Sequence, residues 1–176
     1  MDGANVIYMN EFQISKDFIR ISSLTHAFYM VSNLPQFINS KIEPILQYAA
    51  LEDWFVNMRL IVEFFRLSSI GNQKDFSIDT YTVAAICPDE DRREMNEIWL
   101  IASKHVVHFS HERTDLEKVQ DNPFDHSNRN LKRLVEILVD VAQNFEKQLR
   151  LLWVDEADMI KLMHEQATKS LSGLVV

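Results

Sequence analysis

LKRLVEILVDVAQNFEKQLRLL, residues 131–152, carries an unbroken helical period of apolar residues. Leu131, Leu134, Val135, Leu138, Val141, Ala142, Phe145, Leu149 and Leu152 recur every three or four residues, which gathers them on one face of an α-helix. A strand would need apolar residues at every second position, and that alternation is absent. Asp125 or Ser127 is the expected cap of this helix.

The same period extends upstream. Leu51, Trp54, Phe55, Met58, Ile61, Val62 and Phe65 form a core stripe on a helix expected to begin near Ser40 and Glu43, with Pro44 in its first turn, and to close near Ser69 and Gly71. Val56, Leu60, Phe64 and Leu67 add a second apolar strip. Ile42, Ile45, Leu46 and Ala49 are out of phase with the later stripe, which allows a break near Ala50. An earlier helix is expected from about Ser15 to Ser32, carrying Phe18, Ile21, Leu24, Phe28 and Val31 and ended by Leu34 and Pro35. After Pro88, Asp89 is the expected cap of a helix that carries Glu90 and Asp91 at its positive end and Met95, Ile98, Trp99, Ala102, Val106 and Phe109 on its stripe. A last helix is expected over about Asp155 to Ser170, packing Met159, Leu162 and Met163. The segment TYTVAAI has strand-like residues but no partner strand, so it reads as a packed loop.

These patterns predict an all-α, up-and-down bundle of about five helices, forming one domain over residues 1–176. Composition agrees. A chain of 176 residues with 47% apolar residues has enough to bury a core, and three Gly with four Pro leave few turns. The single Cys87 forms no internal disulfide and reads as a buried thiol without a catalytic role. No apolar run reaches the length of a membrane span and MDGANVIYMNEF is not a signal peptide, so a soluble, cytoplasmic protein without a membrane partner is expected. The net charge of −8 disfavours a general nucleic-acid coat while permitting a local basic site.

Lys104-His105-Val106-Val107-His108-Phe109-Ser110-His111-Glu112-Arg113 holds three of the six histidines. At 100° per residue Lys104, His108 and His111 share a narrow face, while His105 falls on the apolar stripe as a hydrogen-bonded core residue. Arg129, Lys132 and Arg133 have i, i+3, i+4 spacing, which reads as a solvated basic face or as a phosphate contact. His108 and His111 with His126, His164 or a carboxylate form a competing metal reading; no established ligand spacing is present, and neither a metal nor a cofactor is expected. Glu63 is expected to pair with Arg59 or Arg66.

The helix-borne Lys104-x-x-x-His108 followed by Arg113 resembles the HEPN superfamily, helical bundles of bacterial defence and toxin systems, many of which cleave RNA as dimers without metal. The resemblance implies His108 as the proton-transfer group, Arg113 or Lys104 as the phosphate-neutralising cation, and His111, Arg129, Lys132 and Arg133 as RNA contacts. The family's arginine before the histidine is replaced here by Ile101, Ala102 and Ser103, and Lys104 lacks the planar fork of an arginine. The expectation is metal-independent RNA cleavage, or regulation of an RNA-acting partner, by a chain that forms a homodimer or binds another protein. The alternative of a different class is a non-enzymatic protein–protein interaction module.

Overall fold

A computed structural model describes residues 20–38, 42–67, 77–81, 83–103 and 130–173. These form five long helices and one short one: α1 over 20–33, α2 over Pro35–Ile38, α3 over Pro44–Phe64, α4 over Asp89–Ile101, α5 over Leu131–Leu149 and α6 over Val154–Gly173. No strand occurs among the described residues, and residues 83–88 run without regular structure after a single 3-10 turn, Ile78–Tyr81. The fold is an all-α helical bundle. No helix of the described residues is long and apolar enough to cross a membrane.

The stripes meet as the period requires. Every residue of the Leu51–Phe65 stripe is buried, as are Leu134, Val135, Leu138, Val141, Ala142, Phe145 and Leu149 of α5. Phe145 is the hub: its ring lies edge-on to Phe64 at 5.7 Å, Phe65 at 5.5 Å and Tyr81 at 5.6 Å. Such edge contacts let the positive ring edge meet a negative face. The Trp54 indole N–H donates to the Val31 carbonyl at 3.1 Å, satisfying a polar atom that would otherwise be buried unpaired and joining α3 to α1. Glu63 accepts from Arg59 Nε at 2.8 Å and from Trp99 Nε1 at 2.9 Å, which ties α3 to α4.

Several boundaries differ from the expectation, each for a local reason. α3 starts at Pro44 with Glu43 as cap and no side-chain cap bond; Ser40 lies outside the described residues. It is continuous through Ala50, and Ile45, Leu46 and Ala49 are exposed. It ends at Phe64 rather than near Ser69, because Arg66 takes the left-handed conformation (φ 52°) and Leu67 N–H turns back to the Val62 carbonyl at 3.0 Å. This closure usually falls to glycine. Arg66 is held there by Asp79, which pairs with its guanidinium, and by Arg92 Nη1, which donates to its carbonyl at 2.9 Å. α4 is capped by Pro88 rather than Asp89, which with Glu90 and Asp91 makes up an acidic first turn. Asn130, rather than Asp125 or Ser127, caps α5: its side chain accepts from Arg133 N–H at 2.9 Å.

α5 and α6 form an antiparallel hairpin around the four-residue connection 150–153. Their ion pairs show the direction, since Glu146 meets His164 while Arg150 meets Asp158. α6 buries Ala157, Ile160, Met163, His164, Ala167 and Leu171, which leaves Leu162 outside and corrects the expected stripe by about one residue. Ser170 Oγ reaches Asn33 Oδ1 at 3.3 Å and brings α6 to the end of α1.

Candidate functional site

Lys104, His105, His108, His111, Arg113 and Arg129 lie outside the described residues, as does His126. Two sequence candidates are described. Arg133 Nη2 binds Asp91 Oδ1 at 2.6 Å, so its charge is spent joining the first turns of α5 and α4. Lys132 is half-buried and borders a groove of about 360 Å³ in which Glu136 and Asp140 of α5 face Thr168 and Ser172 of α6 above Leu171. His164, weighed as a metal ligand, instead faces Glu146, with Nε2 3.4 Å from Oε2. Among the described residues no group of three His, Cys, Asp or Glu is placed to hold a metal ion. Burial pushes the Cys87 thiol above its ordinary value against the attraction of Arg92, which keeps thiolate, the nucleophilic form, scarce.

The feature that sequence reasoning missed is the α5–α6 turn. Leu151 is 82% exposed, Leu152 75%, Val154 55% and Trp153 37%, four consecutive apolar residues presented to water. The periodic pattern had placed Leu152 on the buried face of α5. It leaves that face because the helix ends at Leu149, after which Leu152 N–H and Trp153 N–H both turn back to the Leu149 carbonyl, at 2.9 and 2.7 Å. Trp153 then begins α6 by accepting from Ala157 N–H at 2.9 Å.

The turn is held from both sides. Arg150 donates through Nε and Nη2 to Glu146 Oε1, at 2.8 and 2.6 Å, and through Nη1 to Asp158 Oδ1 at 3.0 Å. Burial would raise the Glu146 carboxyl, but the hydrogen bonds from Arg150 and His164 outweigh it and hold the group below its ordinary value. One side of the Trp153 ring lies edge-on to Tyr81 at 5.7 Å, so the indole is anchored to the Phe145 hub while its remainder stays open. A second group of exposed apolar residues, Phe37, Ile45, Leu46 and Tyr48, flanks residues 39–41, which lie outside the described residues.

The arrangement at the turn offers an apolar contact surface with a charged rim and a preset backbone. No family model, curated protein or solved structure matches this chain.

Proposed function

We propose that this chain is a protein-binding helical module whose docking surface centres on the Leu151–Val154 turn. The observation that carries the reading is the exposure of four consecutive apolar side chains on a backbone fixed by the Arg150 clamp and the Trp153 anchor. Covering apolar surface is worth about 25 cal/mol per Å², and contiguous exposed patches with polar rims mark contact sites on soluble proteins. Because the turn is already ordered, little conformational freedom is lost when a partner covers it.

A photo-crosslinking amino acid at position 152, with position 165 on the exposed side of α6 as control, tests the reading in cells. The expected result is one discrete protein adduct from 152 that is absent from 165 and is lost when Leu151 and Val154 are changed to Ser. No adduct from 152, or the same adducts from both positions, would contradict it.

A second reading rests on the sequence pattern Lys104, His108 and Arg113. In it the 2′-hydroxyl attacks the adjacent phosphorus, His108 transfers the proton, Arg113 or Lys104 neutralises the phosphate, and the 5′-oxygen leaves, giving a 2′,3′-cyclic phosphate. His111, Arg129 and Lys132 would add contacts to the RNA. Cleavage should then persist in a chelator and fall by a factor of about 10² to 10⁴ in His108→Ala, as loss of a proton-transfer group does. His105→Ala should act through stability instead. A wild-type protein that cleaves none of a varied panel of RNAs would end this reading.

A further inference from the structure

We infer that Val83–Cys87 is an open strand edge that pairs with an extended segment of another protein, one with apolar residues at alternate positions and lysine or arginine at the end beside Asp89 and Glu90. The inference rests on the backbone of this segment and goes beyond the docking of the Leu151–Val154 turn.

Val83, Ala85 and Cys87 are partly buried and pack against the core, while Ala84 and Ile86 are exposed, Ile86 at 57%. Burial at every second residue is the period of a β-strand, since successive side chains of an extended chain point to opposite faces. Cys87 precedes Pro88, which also favours an extended backbone there. No strand lies beside the segment among the described residues, and the N–H groups of Val83, Ala84, Ala85, Ile86 and Cys87 donate to no described residue. A buried N–H without a partner costs as much as a lost hydrogen bond, so a row of unpaired ones belongs at a surface open to water.

The two edges of the segment differ. In a strand the N–H and C=O of one residue point to one edge and those of the next residue to the opposite edge. The Ala84 carbonyl accepts from Gln148 Nε2 at 3.1 Å, which turns the edge of Ala84 and Ile86 toward α5. The edge of Val83, Ala85 and Cys87 is left for a partner. A strand seated there, about 4.8 Å away, exchanges main-chain hydrogen bonds at alternate residues and sets its own alternate side chains beside Ile86. Pairing stops at Pro88, which has no N–H.

Charge decides the occupant. Asp89 and Glu90 follow the edge directly, are exposed and have no ion pair among the described residues, whereas Asp91 is engaged by Arg133. A cation at the end of the incoming strand meets them, and an acidic residue there is repelled. A second copy does not supply that cation. Antiparallel pairing centred on Ala85 would set Asp89 across from Tyr81 and Asp91 across from Asp79, and residues 77–88 contain no Lys or Arg. The net charge of −8 favours a basic partner in the same sense. The edge adjoins the turn, because Tyr81, two residues before Val83, lies edge-on to Trp153 at 5.7 Å.

Amide hydrogen exchange on the full chain, read residue by residue by nuclear magnetic resonance, tests the inference with a synthetic peptide of alternating valine and threonine that carries lysines at one end. In the free chain the amides of Val83, Ala85 and Cys87 should exchange at nearly the rate of unstructured backbone, and saturating peptide should slow them by roughly tenfold or more. The same peptide N-methylated along its length should neither bind nor protect, because it has no N–H to give. Glutamate in place of the peptide lysines should weaken binding by about 5-fold or more, as should Asp89→Lys with Glu90→Lys against the lysine peptide. Ala85→Pro removes a donor that the free fold does not use, so it should abolish binding and keep the helical circular dichroism spectrum; if it unfolds, the methylated peptide carries the same test. Slow exchange of Val83, Ala85 and Cys87 in the free chain, no protection at millimolar peptide, or equal binding by the methylated peptide would each overturn the inference. Leu151→Ser with Leu152→Ser should leave peptide binding within about 2-fold of the wild type, so the edge and the turn stand or fall separately.

Discussion

Phe145→Ala should be among the most damaging single substitutions in the described part of the chain. The ring is fully buried and touches Phe64 of α3, Phe65 directly after it and Tyr81 of the 3-10 turn, so its loss opens a cavity where three elements meet. Truncating a buried phenylalanine costs about 3–5 kcal/mol, and the loss of three edge contacts places this one in the upper half of that range. Against a total stability of roughly 5–15 kcal/mol this is between about a third and nearly all of what holds the fold together. With an m-value of about 2 kcal/mol per molar urea, the unfolding midpoint should fall by about 2 M. Urea titration followed by far-ultraviolet circular dichroism measures this, with Leu60→Ala as the companion. Leu60 belongs to the same α3 but is 51% exposed, so its truncation should stay within about 0.5 kcal/mol of the wild type. A loss below about 1.5 kcal/mol for Phe145→Ala, or equal losses for the two variants, would show that the aromatic hub does not organise the bundle.

Arg66→Gly and Arg66→Ala separate backbone strain from ion pairing at the end of α3. Both lose the pair with the largely exposed Asp79, but only glycine relieves the left-handed φ of 52°, so the glycine variant should be more stable than the alanine variant by about 1 kcal/mol in urea unfolding; the reverse order would remove the account of that helix end. Acid titration addresses Glu146. Its carboxyl is held below the ordinary value in the folded chain, so its contribution is complete above the unfolded value and is lost as pH falls through the folded one. Thermal unfolding from pH 7 to pH 3 should therefore decline less steeply in Glu146→Gln, and parallel curves would contradict the clamp. Leu151→Ser with Leu152→Ser should leave the urea midpoint of the monomer within about 0.3 M of the wild type, because both side chains already face water.

The helical class and most of the core were legible because a wide apolar stripe at a period near 3.6 admits one solution. Leu134 to Leu149 and Leu51 to Phe65 show it, and both stripes are buried as read. The period is silent on where a helix stops. Arg66 ends α3 by a tertiary arrangement with Asp79 and Arg92, from distant parts of the chain, where local reading waits for a glycine. Leu152 and Leu162 fit their stripes in sequence yet are exposed, since α5 turns at Arg150 and α6 packs through a face rotated from the one read. Ile45 and Leu46 show the same limit at the start of α3, where an apolar helical spacing meets no packing partner among the described residues. For the site, the histidines and cations of 104–113 stand out in the sequence and all lie outside the described residues, while the turn carries no titratable motif to draw notice. Its signal was the run Leu151-Leu152-Trp153-Val154 directly before the acidic Asp155-Glu156, an apolar run at a helix start that periodicity assigns to the core.

The three tryptophans provide the most direct measurement, because they sit at different depths: Trp54 is fully buried, Trp99 is bonded to Glu63, and Trp153 is partly open on the turn. Chain labelled with 5-fluorotryptophan would be observed by fluorine resonance, first dilute and purified, then at rising concentration and in concentrated lysate of the cells that carry it. The Trp153 line should shift and lose its response to exchange of H₂O for D₂O as the turn is covered, the Trp54 line should stay in place, and Leu152→Ser should abolish the difference. A Trp153 line that keeps its solvent response under every condition, or three lines that move together, would contradict the claim that this turn is where the protein meets its partner.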